Sequence, residues 1–267
     1  MMFSTIETFA RGKTNCGYSE DRLVQTPNHF GVLDGSRGPD ALAKDAIQEI
    51  LDSACAYIGQ MPGAISLDQL IADLDKLVAV RKQAIGVSDF RSTGGFVFCL
   101  YSAHHREIWR VGDCKFRNNG FEKNTMFEAE AICAVARAMI LKSKLNTGET
   151  PQSIMTAPDY PHLIDDLLVH EATFLNRANE PFGVGAIIGS GVPDDYIERI
   201  PARPGHLVIT SDGYPVVCDT LAETEEQLNN HLSEDPLCMD QNRQCKGLAP
   251  GLQSFDDRTF ISAAISD

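Results

Sequence analysis

Along this chain, apolar residues gather in short runs that end on acidic or turn-forming residues, separated by longer stretches where apolar positions recur every three to four residues. The runs FGVLD (30–34), GFVFCLY (95–101), EIWRVGD (107–113), HLVITSD (206–212) and TFISAAIS (259–266) are rich in β-branched and aromatic residues, which predicts strands. Leu42, Ala46, Ile47, Ile50, Leu51, Ala54 and Ile58 share one face of a helix expected over 39–58, with Pro39 suited to its first turn. Ser66 with Gln69, and Thr125 with Glu128, have capping-box spacing and predict helices over 66–81 and 125–145. Further helices are expected over 161–177 and 222–232.

The strands are grouped and do not alternate one for one with helices. That order predicts an α+β layered fold rather than a doubly wound parallel sheet. A chain of 267 residues buries roughly three quarters of its unfolded surface, so one domain over 1–267 is expected, with no need of staples. The stretch 146–191 is the most irregular, with Pro151, Pro158, Pro161, Pro181 and five glycines. It reads either as a flap over a site or as a surface excursion.

Composition narrows the functional classes. No apolar run reaches the ~18 residues a membrane span needs, and AICAVARAMIL (131–141) is interrupted by Arg137. The N-terminus lacks a charged start followed by an apolar block, so no signal peptide is expected. A net charge of −14 argues against nucleic acid or an anionic membrane as partner, and fits carboxylates gathered at a cation site. The eight cysteines include no C-x-x-C pair, and several sit inside apolar runs, which predicts buried thiols and a reducing, cytoplasmic setting.

The acidic residues carry the chemistry. Asp34, Asp113 and Asp212 end strand-like runs, Glu20 and Asp21 precede a short apolar patch, and Asp256 and Asp257 lead into RTFISAAI. One strand-terminal Asp-Gly is ordinarily an Asx turn. Several in one chain are not explained by packing, because burying an unpaired carboxylate costs several kcal/mol. Hard divalent cations want such oxygen ligands, and a glycine after the Asp, as at Gly35 and Gly213, lets a backbone carbonyl approach an ion.

In chain order, SEDR (19–22), VLDGSRG (32–38), RSTGGFVFCLY (91–101), WRVGDCKFR (109–117), VITSDGYPVV (208–217) and DDRT (256–259) resemble the motifs of the metal-dependent Ser/Thr phosphatases of the protein phosphatase 2C (PPM) type. The resemblance implies an α/β/β/α sandwich, two antiparallel sheets flanked by helices, with metals at one end of the sheets. It implies that Asp34 bridges two Mn²⁺ or Mg²⁺ ions, that the Gly35 carbonyl binds one of them, and that Asp212 and Asp256 hold the other. Glu20 and Asp21 would act through water, and Asp113 with Asp212 would support a weaker third ion. Two ions about 3.5–4 Å apart generate hydroxide near neutral pH for in-line attack on phosphorus. The implied partner is a phosphoprotein substrate, one regulated by a kinase.

Some features depart from the family. Cys16 stands where many relatives carry a phosphate-binding Arg, leaving Arg37, Lys13 and Arg11 as candidate replacements; a lost bidentate guanidinium weakens phosphate binding. Ser36 takes the place of a His found after the D-G pair in some members, and Asp257 the place of the Asn after the last ligand. Residues 118–205 match poorly and would hold substrate choice. Two other readings stay open: a catalytically silent, phosphatase-like binding protein, and a phosphatase of a small phosphorylated metabolite. GVGAIIGSG (183–191) lacks the spacing of a dinucleotide loop, and HEATF (170–174) lacks the second His of a zinc motif.

Overall fold

The computed structural model describes residues 3–38, 43–87, 94–124 and 126–266. Pro39, Leu42, Arg91, Ser92, Thr93 and Thr125, which the sequence reading used, lie outside these residues. Side-chain alternation explains the architecture. In β3 (His29–Ser36), Phe30 and Val32 point to one core and Leu33 to another. In β4 (Gly95–Ser102), Cys99 and Tyr101 join the first core while Phe96, Phe98 and Leu100 join the second. A strand buried on both faces lies in the middle of layers.

Those layers are two five-stranded antiparallel sheets. One runs β2 (Asp21–Gln25), β3, β4, β5 (Glu107–Val111), β8 (Ile197–Pro201). The other runs β1 (Phe3–Arg11), β10 (Arg258–Ile265), β9 (Gly205–Thr210), β6 (Lys115–Asn118), β7 (Phe121–Lys123). Phe30, Val32, Tyr101, Phe116, Ile209 and Ile261 fill the space between them. Helices α1 (Ala43–Gln60) and α2 (Leu67–Ala84) cover the outer face of the first sheet through Ile47, Leu51, Leu70 and Leu74. Leu228 and Leu232 of α6 (Leu221–Glu234) pack on Val208 and Phe260 of the second. The α+β sandwich expected from the sequence is the fold observed.

Local signals were partly right. Ser66 accepts a hydrogen bond from the Gln69 N–H and caps α2, an interaction worth about 1 kcal/mol. Helix α3 (Glu128–Asn146) starts at Glu128, preceded by Phe127, which gives no side-chain cap. The strand β1 escaped the pattern because only alternate residues are half-buried at this sheet edge, with Thr5 and Glu7 among them. The single helix expected over 161–177 is instead a 3₁₀ turn (Tyr160–His162), α5 (Asp165–Glu171) and a second 3₁₀ turn (Ala172–Phe174). Pro161 fits only a first turn. Asn176, at φ 54°, turns the chain away, and its side chain donates to the carbonyls of Ala186 and Gly191.

The stretch 146–191 also contains α4 (Pro151–Thr156), whose Ile154 packs with Leu141 of α3. Its far end is tied to the body of the fold. Phe96 and Ile187 exchange backbone hydrogen bonds, and Asp75 of α2 accepts from the N–H groups of Gly189 and Gly191. No helix among the described residues is long and apolar enough to cross a membrane. All eight cysteines are thiols, and Cys99, Cys114, Cys133 and Cys238 are buried.

Candidate metal centre

The antiparallel register of β2 and β3 places Asp21 directly opposite Asp34. Directly opposed residues put their side chains on one face, with Cβ atoms roughly 5 Å apart. Leu23 and Val32, the next pair on that face, belong to the core between the sheets, so both carboxylates point into the space between the sheets at its edge. Like charges in this arrangement repel unless something cationic lies between them.

The second sheet supplies Asp212 from beyond the end of β9, and its backbone N–H donates to Asp34 Oδ2 at 3.1 Å. Asp113, beyond the end of β5, is buried against Asp212, and burial first and Asp212 second push its carboxyl up to about 7. Asp34 is raised well above the usual carboxylate range by burial, then by Asp212, Asp21 and Asp113. Asp21 is raised by burial too, with Asp257 and Asp212 adding repulsion against a hydrogen bond from Ser211. Asp21 is only 5% exposed, and its Oδ2 has no hydrogen-bond partner.

Local scaffolding explains the two Asp-Gly pairs. The second forms a turn, whereas the first lies inside β3, where the sequence predicted a strand end, because pairing with β4 continues to Ser36. A Cβ on Gly35 would lie 2.5 Å from the Glu20 carbonyl oxygen, which accepts the Gly35 N–H at 2.8 Å. One on Gly213 would lie 1.9 Å from the Asp257 carbonyl oxygen. Each glycine therefore permits a close approach of two backbone segments that carry acidic residues. Buried Lys115 donates to the carbonyls of Asp212 (3.1 Å) and Tyr214 (2.6 Å) and holds the second turn. Arg22 holds the first loop, donating to the carbonyls of Ser19 and Asp21 and to Gln48 and Asp52 of α1.

Asp256 is different. Its Oδ1 lies 2.7 Å from Lys13 Nζ and its Oδ2 2.6 Å from Lys246 Nζ. Burial alone would raise it, but Lys246 and Lys13 outweigh burial and hold it well below the ordinary range. Asp257 beside it accepts the backbone N–H groups of Lys13 and Glu20, both at 2.7 Å. That buried carboxylate is a clamp joining the 13–20 loop to the start of β10.

The candidate phosphate ligands separate. Arg37, half-exposed, stands 3.6 Å from Glu20 Oε1, which also accepts from the Tyr18 hydroxyl at 2.9 Å. Lys13 is engaged by Asp256. Arg11 is exposed and lies over the Phe9 ring, its guanidinium carbon 5.2 Å from the ring centroid. A cavity of about 510 Å³ beside the 12–19 loop is lined by Arg11, Thr14, Asn15, Ser19 and Gln253 among others, and by none of the carboxylates.

Three groups escaped the sequence reading. Glu130 near the start of α3 lies close to Asp113 and Asp212; burial and those charges raise it well above the usual range. Glu171 at the end of α5 and Lys246 stand in the same field. All three come from segments without a motif, so no local signal could have found them.

The donor set suits hard divalent cations: carboxylate oxygens from both sheets, one of them buried without a partner. As they stand, no three His, Cys, Asp or Glu side chains among the described residues converge closely enough to hold an ion. The partners in place account for part of this. Lys246 and Lys13 engage Asp256, and the Asp212 N–H engages Asp34.

No family model matches the chain, and no curated protein matches it in sequence. Solved structures do. The Mycobacterium tuberculosis serine/threonine phosphatase PstP/Ppp superposes with a TM-score of 0.53 at 14% identity, each chain covered in full. The serine/threonine phosphatase Stp1 from Staphylococcus aureus gives 0.51 at 16% identity, over 100% of this chain and 96% of that one. The chain has the protein phosphatase 2C fold. At these identities the likeness is one of fold. In the protein phosphatase 2C sandwich described here, the acidic residues lie where strand ends of the two sheets meet.

Proposed function

We propose that this chain is a metal-dependent phosphomonoester hydrolase acting on phosphoserine and phosphothreonine in proteins. The observation that carries the reading is the Asp21–Asp34 pair, opposed in register, faced by Asp212 and Asp113, and left with a buried, unpartnered oxygen. An arrangement so repulsive to itself is accounted for by a cation that belongs there. The solved structures that share the fold are serine/threonine phosphatases, which supports the choice of reaction.

In this reading Asp34, the Gly35 carbonyl, Asp212 and Asp256 would hold two Mn²⁺ or Mg²⁺ ions. Glu20 and Asp21 would orient water, and Asp113 with Asp212 would hold a third ion weakly. When bound, the ions would activate water as the nucleophile at neutral pH and offset charge on the phosphoryl group. The chain's own residues do the rest. Asp257 and Arg22 fix the loop bearing Glu20 and Asp21, and Lys115 fixes the turn bearing Asp212. Arg37, half-exposed beside Glu20, meets the substrate phosphate in the absence of an Arg at position 16.

A second reading, a phosphatase-like protein that binds without turnover, is favoured by one observation: both oxygens of Asp256 already face ammonium groups. Hydrolysis of an aryl phosphate with Mn²⁺, Mg²⁺ or EDTA separates the two, followed by phosphopeptides. We expect turnover with metal, none with EDTA, and a loss of more than about a hundredfold in Asp34→Asn and Asp212→Asn. Wild-type protein that binds Mn²⁺ and turns over neither substrate class would establish the silent reading. Turnover of small esters alone would assign a metabolite phosphatase.

A further inference from the structure

Two lysines meet at Asp256, and they are held differently. Lys13 is fixed at its backbone, its N–H donating to Asp257 Oδ1 and its carbonyl accepting from Gln253, and its side chain is 21% exposed. Lys246 comes from the irregular segment between α6 and β10, and its side chain is 54% exposed. An ammonium on a flexible four-carbon stem can leave a carboxylate without moving the backbone. Across the site the opposite condition holds: Asp21 is nine-tenths buried, and its Oδ2 has no partner. Lys13 and Lys246 thus stand on carboxylate oxygens of Asp256, whereas the third lysine of the site, Lys115, is held by the carbonyls of Asp212 and Tyr214.

An ammonium and a divalent cation compete for the same carboxylate lone pairs. We infer that Lys246 is a resident counter-ion of the Asp256 corner, which a divalent cation must displace to bind there. The inference rests on the metal-dependent reading above. It gives the chain two unequal cation positions: one at Asp34, whose carboxylate makes no ion pair among the described residues, and one at Asp256, where binding is opposed by an existing ion pair. Lys246 therefore sets the concentration of metal at which the second position fills.

The test is Mn²⁺ titration followed by calorimetry on wild type, Lys246→Met and Lys246→Arg. Lys246→Met keeps the apolar stem and removes the charge, and Lys13 remains as a partner for Asp256, so the fold is not left with an unpaired group. Apart from the weak third ion, we expect two binding events in wild type. In Lys246→Met the weaker one tightens by about tenfold to a hundredfold, as removal of a charge-assisted hydrogen bond predicts, while the stronger is unchanged. Lys246→Arg should match wild type, because the charge is retained. A Lys246→Met isotherm identical to wild type overturns the inference and leaves the carboxylate reading standing. A tightened event that survives added Asp256→Asn overturns the assignment to this corner. If no form takes up Mn²⁺, both readings fall together.

Discussion

Asp34 and Asp256 are the same residue type in one acidic site, yet their environments push them in opposite directions. Asp34 faces Asp21 across a strand pair and Asp212 from the other sheet, and burial with like charge raises its carboxyl. Asp256 is largely withdrawn from water as well, but two ammonium groups stand on its oxygens and lower it. Burial alone therefore does not decide the state of a carboxylate; the charge brought beside it does. One corner carries two ammonium groups on its carboxylate oxygens, whereas Lys115, the lysine nearest the other, donates to the backbone carbonyls of Asp212 and Tyr214. In the proposed reading, a metal would compete with ammonium groups at the first corner and would offset like charge at the second.

The largest test of the rule concerns a base. His29, at the start of β3 and at the other end of the strand from Asp34, is 1% exposed, and its Nε2 has no partner. Burial, with a smaller push from His105, lowers it from 6.5 to about 4. Because the folded value lies below the unfolded one, the native state declines a proton that the unfolded chain accepts. Its contribution is fully present above pH 6.5, is lost as pH falls toward 4, and levels off below. Between those limits wild type should lose about 3 kcal/mol more than His29→Asn, from the ~1.4 kcal/mol per unit linkage. Urea midpoints at pH 7 and pH 4.5 measure it. Equal losses in the two proteins would show that desolvation is not acting at this position.

Next come the two corners themselves. Asp256→Asn removes the carboxylate between two ammonium groups and should destabilise the metal-free fold by about 2 kcal/mol, less than a fully buried pair because Lys246 can reach water. Asp34→Asn should do the reverse, stabilising the metal-free protein by about 1 kcal/mol through relief of the opposed pair, while losing the metal. Denaturant titration in EDTA reads both. Two changes of the same sign would break the contrast drawn here.

Much of the fold was legible in the residues. The runs 95–101 and 107–113 became β4 and β5, and the apolar spacing over 46–58 became the buried face of α1. These signals are local, because alternation and helical periodicity follow from backbone geometry over a few residues. β1 and the broken 160–174 segment were not legible. An edge strand needs apolar residues on only one face, and the break rests on Asn176 hydrogen-bonding to carbonyls 10 and 15 residues away.

The candidate site divides in the same way. By itself, the sequence determined which carboxylates lie at or near strand ends, that glycines follow two of them, and that position 16 carries no guanidinium. Those facts are properties of neighbours along the chain. Only the tertiary structure decided that Asp21 faces Asp34, that Asp257 is spent on two backbone N–H groups, and that Lys13 and Lys246 meet on Asp256 across 243 and 10 residues. Electrostatic interaction depends on distance in space and on how much water is excluded, and neither quantity is written in the order of the residues.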